Sequence, residues 1–281
     1  GIFITLLSRV YFLTIKSNTY YEELSKNNYI KRVDKIPIRG MIEDRNGEKL
    51  AINEMGFAVL VRPHLSSYKN KEKLEQIIDS IIKHFPQYEK DKLIREYKRA
   101  DSAYNHEFIK VIDYISYQEF FPKYTILSSK EDVKVESTTK RAYPQKEIAS
   151  HIIGYVGKFY NTKLQGEMGY KDVKVNALNK EIEVLNEKAA SIDNNIQISL
   201  DINLQKYIQE IFTGKSGAVV VMDVNNGELL ASASFPEFDN NIFARGISVK
   251  EWNEMRNDFN HPFTNKIING LYPPGSVIKM G

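Results

Sequence analysis

A serine and a lysine stand three residues apart near the end of the sequence, at Ser276 and Lys279, directly after a Pro-Pro-Gly turn. On a helix, residues at this spacing share one face, so their side chains can meet. A lysine whose pKa is lowered by burial can accept the proton of the serine hydroxyl and turn a weak nucleophile into a strong one. The pair therefore indicates acyl transfer through a covalent serine intermediate.

The spacing alone is weak evidence for such a site. The same pair occurs elsewhere in this lysine-rich sequence, at Ser66/Lys69, Ser80/Lys83 and Ser137/Lys140. Ser276 differs in its context, because two prolines and Gly275 specify a rigid turn just before it. An ordinary loop in which Ser276 caps a helix explains this short string equally well.

The segments upstream supply the elements that would position the pair. Residues 217–223 (GAVVVMD) predict a buried strand, the NNG sequence at 225–227 a hairpin turn, and residues 228–234 the returning strand. A loop at 235–241 and a short helix near residues 252–255 follow. From about residue 201 onward, this ordered run resembles the opening of the transpeptidase domain of class B penicillin-binding proteins. The turn before the lysine is similar to that of the elongation-type members, whereas division-type members more often carry an acidic residue there.

Three earlier motifs extend the resemblance over nearly the whole chain. Residues 36–51 (IPIRGMIEDRNGEKLA), residues 141–157 (with RAYP and then ASHIIGYVG), and residues 166–177 (GEMG, then VNA) occur in family order. They resemble the non-catalytic N-terminal module of this family. One departure is the short stretch between Gly157 and Gly166, where the family usually has a longer segment. We expect that residues are missing there from the sequence, with a short loop as the alternative.

The resemblance implies an α+β fold: an elongated β-rich pedestal with a helical head, followed by the beginning of a penicillin-binding, serine β-lactamase-like domain. We expect a membrane-anchor end at 1–15, the pedestal at 16–194 with its head at about 64–135, and the transpeptidase part at 195–281. Within the head, two amphipathic helices broken at Phe85-Pro86 are predicted between residues 69 and 97. Another short helix is predicted at 113–121, and a helix start at Asp201.

Composition narrows the choice of function class and compartment. The formal net charge is only +3, so nucleic acid is not an expected partner. The sequence has no cysteine, and its five histidines lack metal-ligand spacing, so neither a metal nor a cofactor is expected. Residues 1–15 are apolar but interrupted by Arg9, and too few to span a bilayer. We interpret them as the outer end of a single-pass inner-membrane anchor with the bulk in the periplasm, the alternative being an amphipathic helix lying on the protein.

The resemblance implies peptidoglycan D,D-transpeptidation, with Ser276 as nucleophile, Lys279 as general base, stem peptides as substrates and β-lactams as inhibitors. The family also needs an S-x-N motif and a K-T-G or K-S-G strand after the S-x-x-K. Matching strings at 25–27 and 215–217 precede Ser276, so we assign them no catalytic role. A polypeptide ending at Gly281 would therefore be inactive.

Two other functions remain open. The chain could be a catalytically incomplete pedestal that docks elongation partners; the resemblance implies the scaffold MreC and the glycosyltransferase RodA. It could instead be a β-lactam sensor or β-lactamase-like relative, against which the long N-terminal module argues.

Overall fold

A computed structural model describes residues 29–67, 70–102, 107–175, 181–191, 193–273 and 275. The strands of this part are β1 (Tyr29–Lys35), β2 (Ile42–Glu43), β3 (Lys49–Val61), β4 (Ile109–Ser116), β5 (Val133–Ala142), β6 (Gly169–Val175), β7 (Glu181–Lys188), β8 (Ile196–Gln197), β9 (Gly217–Met222) and β10 (Leu229–Phe235). The helices are α1 (Lys71–His84), α2 (Lys90–Ala100), α3 (Tyr117–Phe120), α4 (Tyr124–Ser128), α5 (Ser150–Phe159), α6 (Asn161–Gln165), α7 (Ile202–Phe212), α8 (Asn241–Ala244), α9 (Val249–Arg256) and α10 (Lys266–Asn269).

The chain divides into two compact units, residues 1–40 with 160–196 (unit 1) and residues 41–159 with 197–281 (unit 2). Unit 1 contains an antiparallel sheet in the order β1-β6-β7. Across β1 and β6, the Arg32 guanidinium makes two hydrogen bonds to the Asp172 carboxylate, at 2.7 and 2.8 Å, and lies 4.2 Å from the centre of the Tyr170 ring. This pair joins strands that are 140 residues apart in sequence.

Gly40 of the first N-terminal motif is fixed by close backbone packing in unit 1. Its amide donates to the carbonyl of Leu164 at 2.7 Å, and a Cβ at this position would lie 1.8 Å from the carbonyl oxygen of Asn194. The Asn194 side chain in turn donates to the carbonyls of Ile38 and Leu164. The position therefore excludes any side chain, which gives the Arg-Gly sequence a physical reason.

The residues predicted as the head, about 64–135, lie in unit 2 and pack around the long strand β3, which pairs with β2, β4 and β5. The helices of this region are the amphipathic pair that the sequence predicts, with α1 ending at His84 just before the buried Phe85. Ile77, Ile78 and Ile81 lie in the core and Ile82 packs against it, as expected of the apolar face of an amphipathic helix.

The predicted helix at 113–121 is wrong in its first half. Residues 109–116 form β4, in which Ile109, Val111, Ile112 and Ile115 are buried. Pairing with β3 and burial of β-branched side chains override the short helical pattern. The helix begins only at Tyr117 and runs into a 3₁₀ turn at Phe121–Lys123.

The turn within residues 36–51 also contacts the start of α7. The buried Asp44 carboxylate accepts from the amides of Asn46 (2.7 Å) and Glu48 (2.8 Å), which closes the Asn-Gly turn between β2 and β3. Its second oxygen accepts from the amide of Ile202 at 3.1 Å. Asp201 caps α7 by accepting from the Asn203 and Leu204 amides, so the predicted helix start is confirmed.

In the region predicted as the transpeptidase part, α7 packs on the β9–β10 hairpin. Buried Gln205 of α7 donates to the carbonyl of Ser232 at 3.1 Å and accepts from its amide at 2.8 Å. This side chain thus satisfies the main-chain groups on the edge of β10 that does not face β9, and it fixes the strand against the helix.

These features confirm the α+β fold class. The domain boundaries at 1–15, 16–194 and 195–281 stay predictions, and the anchor at 1–15 lies outside the described residues. Within the described part, no helix combines the length and apolar character needed to cross a membrane.

Candidate functional site

The predicted nucleophile and base, Ser276 and Lys279, lie outside the described residues. The structure describes instead the segment that leads to them, up to residue 273 and at Gly275. Gly275 has φ +51°, in the left-handed region that glycine favours. The position next to Ser276 therefore has the backbone conformation of a tight turn, as the Pro-Pro-Gly sequence predicts.

Ser234 of β10 fixes the start of α10, the last helix before the turn. Its buried hydroxyl accepts from the amide of Lys266 at 2.9 Å and donates to the carbonyl of Thr264 at 3.2 Å. Asn265 caps the same helix by accepting from the Ile267 amide at 3.0 Å. Strand β10 thus positions the helix that precedes the predicted Ser-x-x-Lys pair.

Gly270 caps the end of α10, where there is no space for a side chain. A Cβ here would lie 2.3 Å from the carbonyl oxygen of Lys266 and 2.4 Å from the Tyr272 ring. Since a backbone carbonyl cannot move aside without breaking the helix end, the position requires glycine.

His151 of α5 contacts the loop that precedes α10. Its Nε2 lies 3.0 Å from the carbonyl oxygen of Pro262, and because that oxygen can only accept, Nε2 carries the proton. The Phe238 ring meets the imidazole edge to face, with ring centroids 5.0 Å apart. Burial, helped by the nearby charge of Lys266 and opposed by the Pro262 carbonyl, holds the pKa of His151 below its ordinary value. The histidine is therefore a neutral structural donor.

Reciprocal hydrogen bonds join the RAYP and ASH motifs to the loop after β10. The Asn241 side chain accepts from the Tyr143 amide and donates to the Tyr143 carbonyl, both at 2.9 Å. Asn240 donates to the Ser150 carbonyl at 3.2 Å, and the Ala149 amide donates to Oε2 of Glu237, also at 3.2 Å. These contacts connect the RAYP and ASH motifs to the loop after β10 within one compact unit.

Glu237 carries the most perturbed carboxyl of this loop. Burial raises the pKa of Glu237 to about 8, with a further upward effect from Glu147, against the stabilising backbone amides of Ala149 and Ser150. An aromatic cluster lies beside the loop, with Phe263 stacked on Trp252 (centroids 5.1 Å apart) and edge-on to Phe238 (5.3 Å).

Comparison with known proteins decides the family. Residues 34–159 match the model of the penicillin-binding protein dimerisation domain, and residues 217–281 match that of the penicillin-binding protein transpeptidase domain. The chain belongs to the penicillin-binding proteins. The predicted family is thereby confirmed.

Relatives among the penicillin-binding proteins include the peptidoglycan D,D-transpeptidase MrdA of Escherichia coli K12. It is 29% identical over 292 residues, which cover 89% of this chain and 43% of the relative. Penicillin-binding protein 3 of Bacillus subtilis is 28% identical over 270 residues, covering 86% of this chain and 38% of the relative. The chain thus spans less than half the length of these curated relatives.

Two solved structures of penicillin-binding proteins are also similar to this chain. PBP2 of Helicobacter pylori in complex with MreC matches with a TM-score of 0.77 and 38% identity, over 89% of this chain and 51% of that chain. PBP2 of the same organism without MreC matches with a TM-score of 0.67 and 39% identity, over 88% of this chain and 51% of that one.

Of the two strings that match the later family motifs, the structure describes the one at 215–217. Lys215 donates to the carbonyl of Ile211 at 2.9 Å and Gly217 begins β9, so this Lys-Ser-Gly string opens the hairpin. The string at 25–27 lies outside the described residues. Lys266 donates to the carbonyls of Asn260 (2.8 Å) and His261 (3.3 Å), which closes a loop. Among the described residues, no three His, Asp or Glu side chains are arranged to hold a metal ion.

The loop at 235–241 is predicted from the sequence only as a connection. The contacts of Glu237 with Ala149 and of Asn241 with Tyr143 are not predicted. The Asp-Asn-Asn string at 239–241 is a recognisable polar turn signal, since such side chains bond nearby backbone. No local signal identifies Glu237, because its burial depends on residues about ninety positions earlier in the sequence.

Proposed function

We propose that this chain is part of a peptidoglycan D,D-transpeptidase. The observation that carries the proposal is the match of residues 217–281 to the transpeptidase domain, together with curated relatives named peptidoglycan D,D-transpeptidase. The ordered approach to Ser276, from β10 through α10 to the glycine turn, supports it. The function is cross-linking of cell-wall stem peptides.

In the proposed mechanism, Ser276 Oγ attacks the carbonyl carbon of the penultimate D-Ala, and its proton passes to Lys279 Nζ. Backbone N–H groups, that of Ser276 among them, hold the oxyanion. The peptide C–N bond then breaks, and the terminal D-Ala leaves as an amine with the proton. An amine from a second stem attacks the ester, forms the new amide, and returns Ser276 to its hydroxyl form.

A β-lactam would follow only the first half of this course. Attack by Ser276 opens the ring C–N bond, but the leaving nitrogen stays attached to the acyl group, so the ester persists. Slow release favours a transpeptidase, whereas rapid release of hydrolysed antibiotic would favour the β-lactamase-like alternative.

The test measures D-Ala release from a stem pentapeptide by the protein in its natural length, with a second stem as amine acceptor. Ser276→Ala is expected to abolish release, because no nucleophile remains. Ser137→Ala is the matched control, since Ser137 heads another Ser-x-x-Lys pair and is exposed on β5, and it should keep full activity. Undiminished release by Ser276→Ala would overturn the assignment of the nucleophile.

Docking of an MreC-type scaffold is a second proposed function of the same chain. An apolar patch on the head, consisting of Tyr117, Phe121 and Tyr124, supports it: these side chains are 48%, 58% and 42% exposed. The Tyr117 and Phe121 rings stack at 5.1 Å, and Phe57 lies 5.9 Å from both tyrosine rings. Exposed aromatic patches of this kind mark partner sites, and one of the similar solved structures is PBP2 of Helicobacter pylori in complex with MreC.

Binding to the periplasmic part of the organism's own MreC, measured by interferometry, tests the docking proposal. Phe121→Ala should weaken binding about tenfold, as expected of an aromatic anchor. Phe259→Ala is the control, because Phe259 is 92% exposed and lies outside the head. Equal binding by both variants would refute docking through this patch.

A membrane anchor and a RodA partner complete the proposal. We propose that the protein is held in the inner membrane by a single pass that includes residues 1–15, and that the remainder lies in the periplasm. A reporter that is active only in the periplasm should be active when it is fused after residue 30. Activity of a reporter that works only in the cytoplasm would contradict this orientation.

A further inference from the structure

Glu237 and Gln209 each carry a buried oxygen that has no hydrogen-bond partner among the described residues. These atoms are Oε1 of Glu237, in the loop after β10, and Oε1 of Gln209, on α7. Neither atom has appreciable solvent-accessible surface, so neither can bind a ligand that enters from solvent. A buried polar atom without a partner costs free energy. The explanation for this pair must therefore lie inside the protein.

The two side chains converge on one short turn in unit 2. Nε2 of Gln209 donates to Oε1 of Glu147 at 3.3 Å. Oε2 of Glu237 accepts from the amide of Ala149, two residues further along this turn, at 3.2 Å. One side-chain atom of each residue is thus held by the turn, and both side chains line the same cavity with Glu147. The two unpartnered oxygens consequently lie in one small region of the protein.

Packing of α7 on β10 brings the same two residues together. The ring of Phe212, three residues after Gln209, stacks on the ring of Phe235, two residues before Glu237. The ring centroids are 4.8 Å apart and the planes are 20° from parallel. Ile208, the residue before Gln209, is buried in the same core cluster as Phe235. The backbones that carry the two polar side chains are therefore fixed side by side.

The protonation state of Glu237 decides whether the two oxygens can bond to each other. An ionised carboxylate only accepts hydrogen bonds, and so does the side-chain oxygen of a glutamine. A proton on Oε1 of Glu237 makes this oxygen a donor, and Oε1 of Gln209 is then the acceptor that it needs. One proton satisfies both atoms and also removes a buried negative charge near Glu147.

We propose that Glu237 is protonated in the folded protein and that its Oε1–H group donates to Oε1 of Gln209. This hydrogen bond, which we call the proton clasp, holds the loop after β10 against α7. Loss of the proton opens it, because two acceptors then face each other. The proton clasp does not depend on Ser276 or on the proposed function.

The proton clasp should open as pH rises. Burial raises the pKa of Glu237 to about 8, Glu147 raises it further, and the backbone amides that the carboxyl accepts from lower it. The other charged side chains that line the cavity are Asp239, in the same loop, and Lys215, just after α7. Glu237 therefore keeps its proton at neutral pH and loses it as pH rises through about 8, where Oε1 ceases to donate.

Infrared difference spectroscopy, wild type minus Glu237→Gln, detects the proton in the protein of natural length. At about pH 6.5 the difference should contain the C=O stretch of a protonated carboxyl, which should give way to carboxylate bands above about pH 8. Glu237→Gln suits this purpose, because its amide can still accept from Ala149 and donate to Gln209. Absence of the protonated-carboxyl band at pH 6.5 would overturn the proposal.

Gln209→Leu tests the assigned acceptor. The C=O stretch of a carboxyl moves to higher frequency when its O–H group loses its acceptor, so the Glu237 band should shift upward in this variant. Glu210→Gln is the matched control, because Glu210 is exposed on the same helix, and it should leave the band in place. An unshifted band in Gln209→Leu would mean that another group accepts the proton, which overturns the assignment of Gln209.

Hydrogen exchange in peptides that cover residues 236–241 measures the proton clasp without any change at Gln209. Dividing the exchange rate of the wild type by that of Glu237→Gln cancels the intrinsic effect of pH. This ratio should rise about three- to tenfold between about pH 6.5 and 9, the effect of losing one neutral hydrogen bond. A ratio that stays constant with pH would overturn the proton clasp.

Discussion

Replacing Ser234 by alanine tests how the fold positions the segment before Ser276. The hydroxyl of Ser234 is fully buried and makes two hydrogen bonds, accepting from the Lys266 amide at 2.9 Å and donating to the Thr264 carbonyl at 3.2 Å. Alanine removes both and leaves the first N–H group of α10 without its side-chain partner. The same substitution changes no charge and little volume.

The magnitude follows from the two lost contacts. A neutral hydrogen bond contributes about 0.5–1.5 kcal/mol net, so Ser234→Ala should lower the free energy of unfolding by about 1–3 kcal/mol. Each 1.4 kcal/mol of this loss that appears in the acylation barrier would slow acylation by a β-lactam about tenfold. We therefore expect slower acylation with little change in the binding step, because Ser234 acts by positioning α10.

The assay follows urea unfolding by fluorescence of the chain's one tryptophan, Trp252, and acylation by stopped-flow with a fluorescent penicillin. Ser232→Ala is the matched control: Ser232 lies two residues earlier on β10, is 2% exposed, and bonds Gln205 through its main chain. Ser232→Ala should lower the free energy of unfolding by less than half as much as Ser234→Ala does. If Ser234→Ala acylates as fast as Ser232→Ala, β10 does not position the site in the way that we describe.

Three further predictions concern other parts of the fold. Gly40→Ala should destabilise unit 1 by more than about 3 kcal/mol, because its Cβ would lie 1.8 Å from the Asn194 carbonyl oxygen; soluble, fully stable protein would contradict this. Gln205→Leu should lower the free energy of unfolding by about 2–6 kcal/mol, because it leaves the buried amide and carbonyl of Ser232 unpaired. A loss below about 1 kcal/mol in urea unfolding, similar to that of a surface change, would refute this prediction. Glu237 has a folded-state pKa raised to about 8, so the folded state holds its proton where the unfolded state has lost it. Wild-type stability relative to Glu237→Gln should therefore fall as pH rises from about 4.5 to 8, by up to about 1.4 kcal/mol per unit, and parallel pH profiles would exclude the buried proton.

Local signals in the sequence predicted much of the fold. The Asn-Gly turn at 46–47, the NNG turn at 225–227 and the cap at Asp201 each act through their own nearby backbone, so their positions can be inferred without the rest of the chain. The apolar stripe of α1 likewise follows from helical periodicity. The capping box at Ser248 and Glu251 is a further local signal that the sequence offers for α9.

Long-range contacts could not be predicted in this way. The pairing of β1 with β6 joins residues 140 positions apart, and nothing local in either strand specifies that register. The local pattern at 113–116 predicts helix, whereas pairing with β3 makes these residues the end of β4. Glu237 is the clearest example at the site, since its pKa is raised by burial and by Glu147, which lies far away in the sequence. Motif resemblance placed these segments in one family order but gave no contact between them.

Mass spectrometry of the protein in its natural length, before and after incubation with benzylpenicillin, tests the central claim most directly. The account predicts one covalent penicilloyl adduct, located by peptide mapping on the peptide that contains Ser276, and lost in Ser276→Ala while retained in Ser137→Ala. No adduct, or an adduct that persists in Ser276→Ala, would contradict the assignment of Ser276 as the acylated nucleophile.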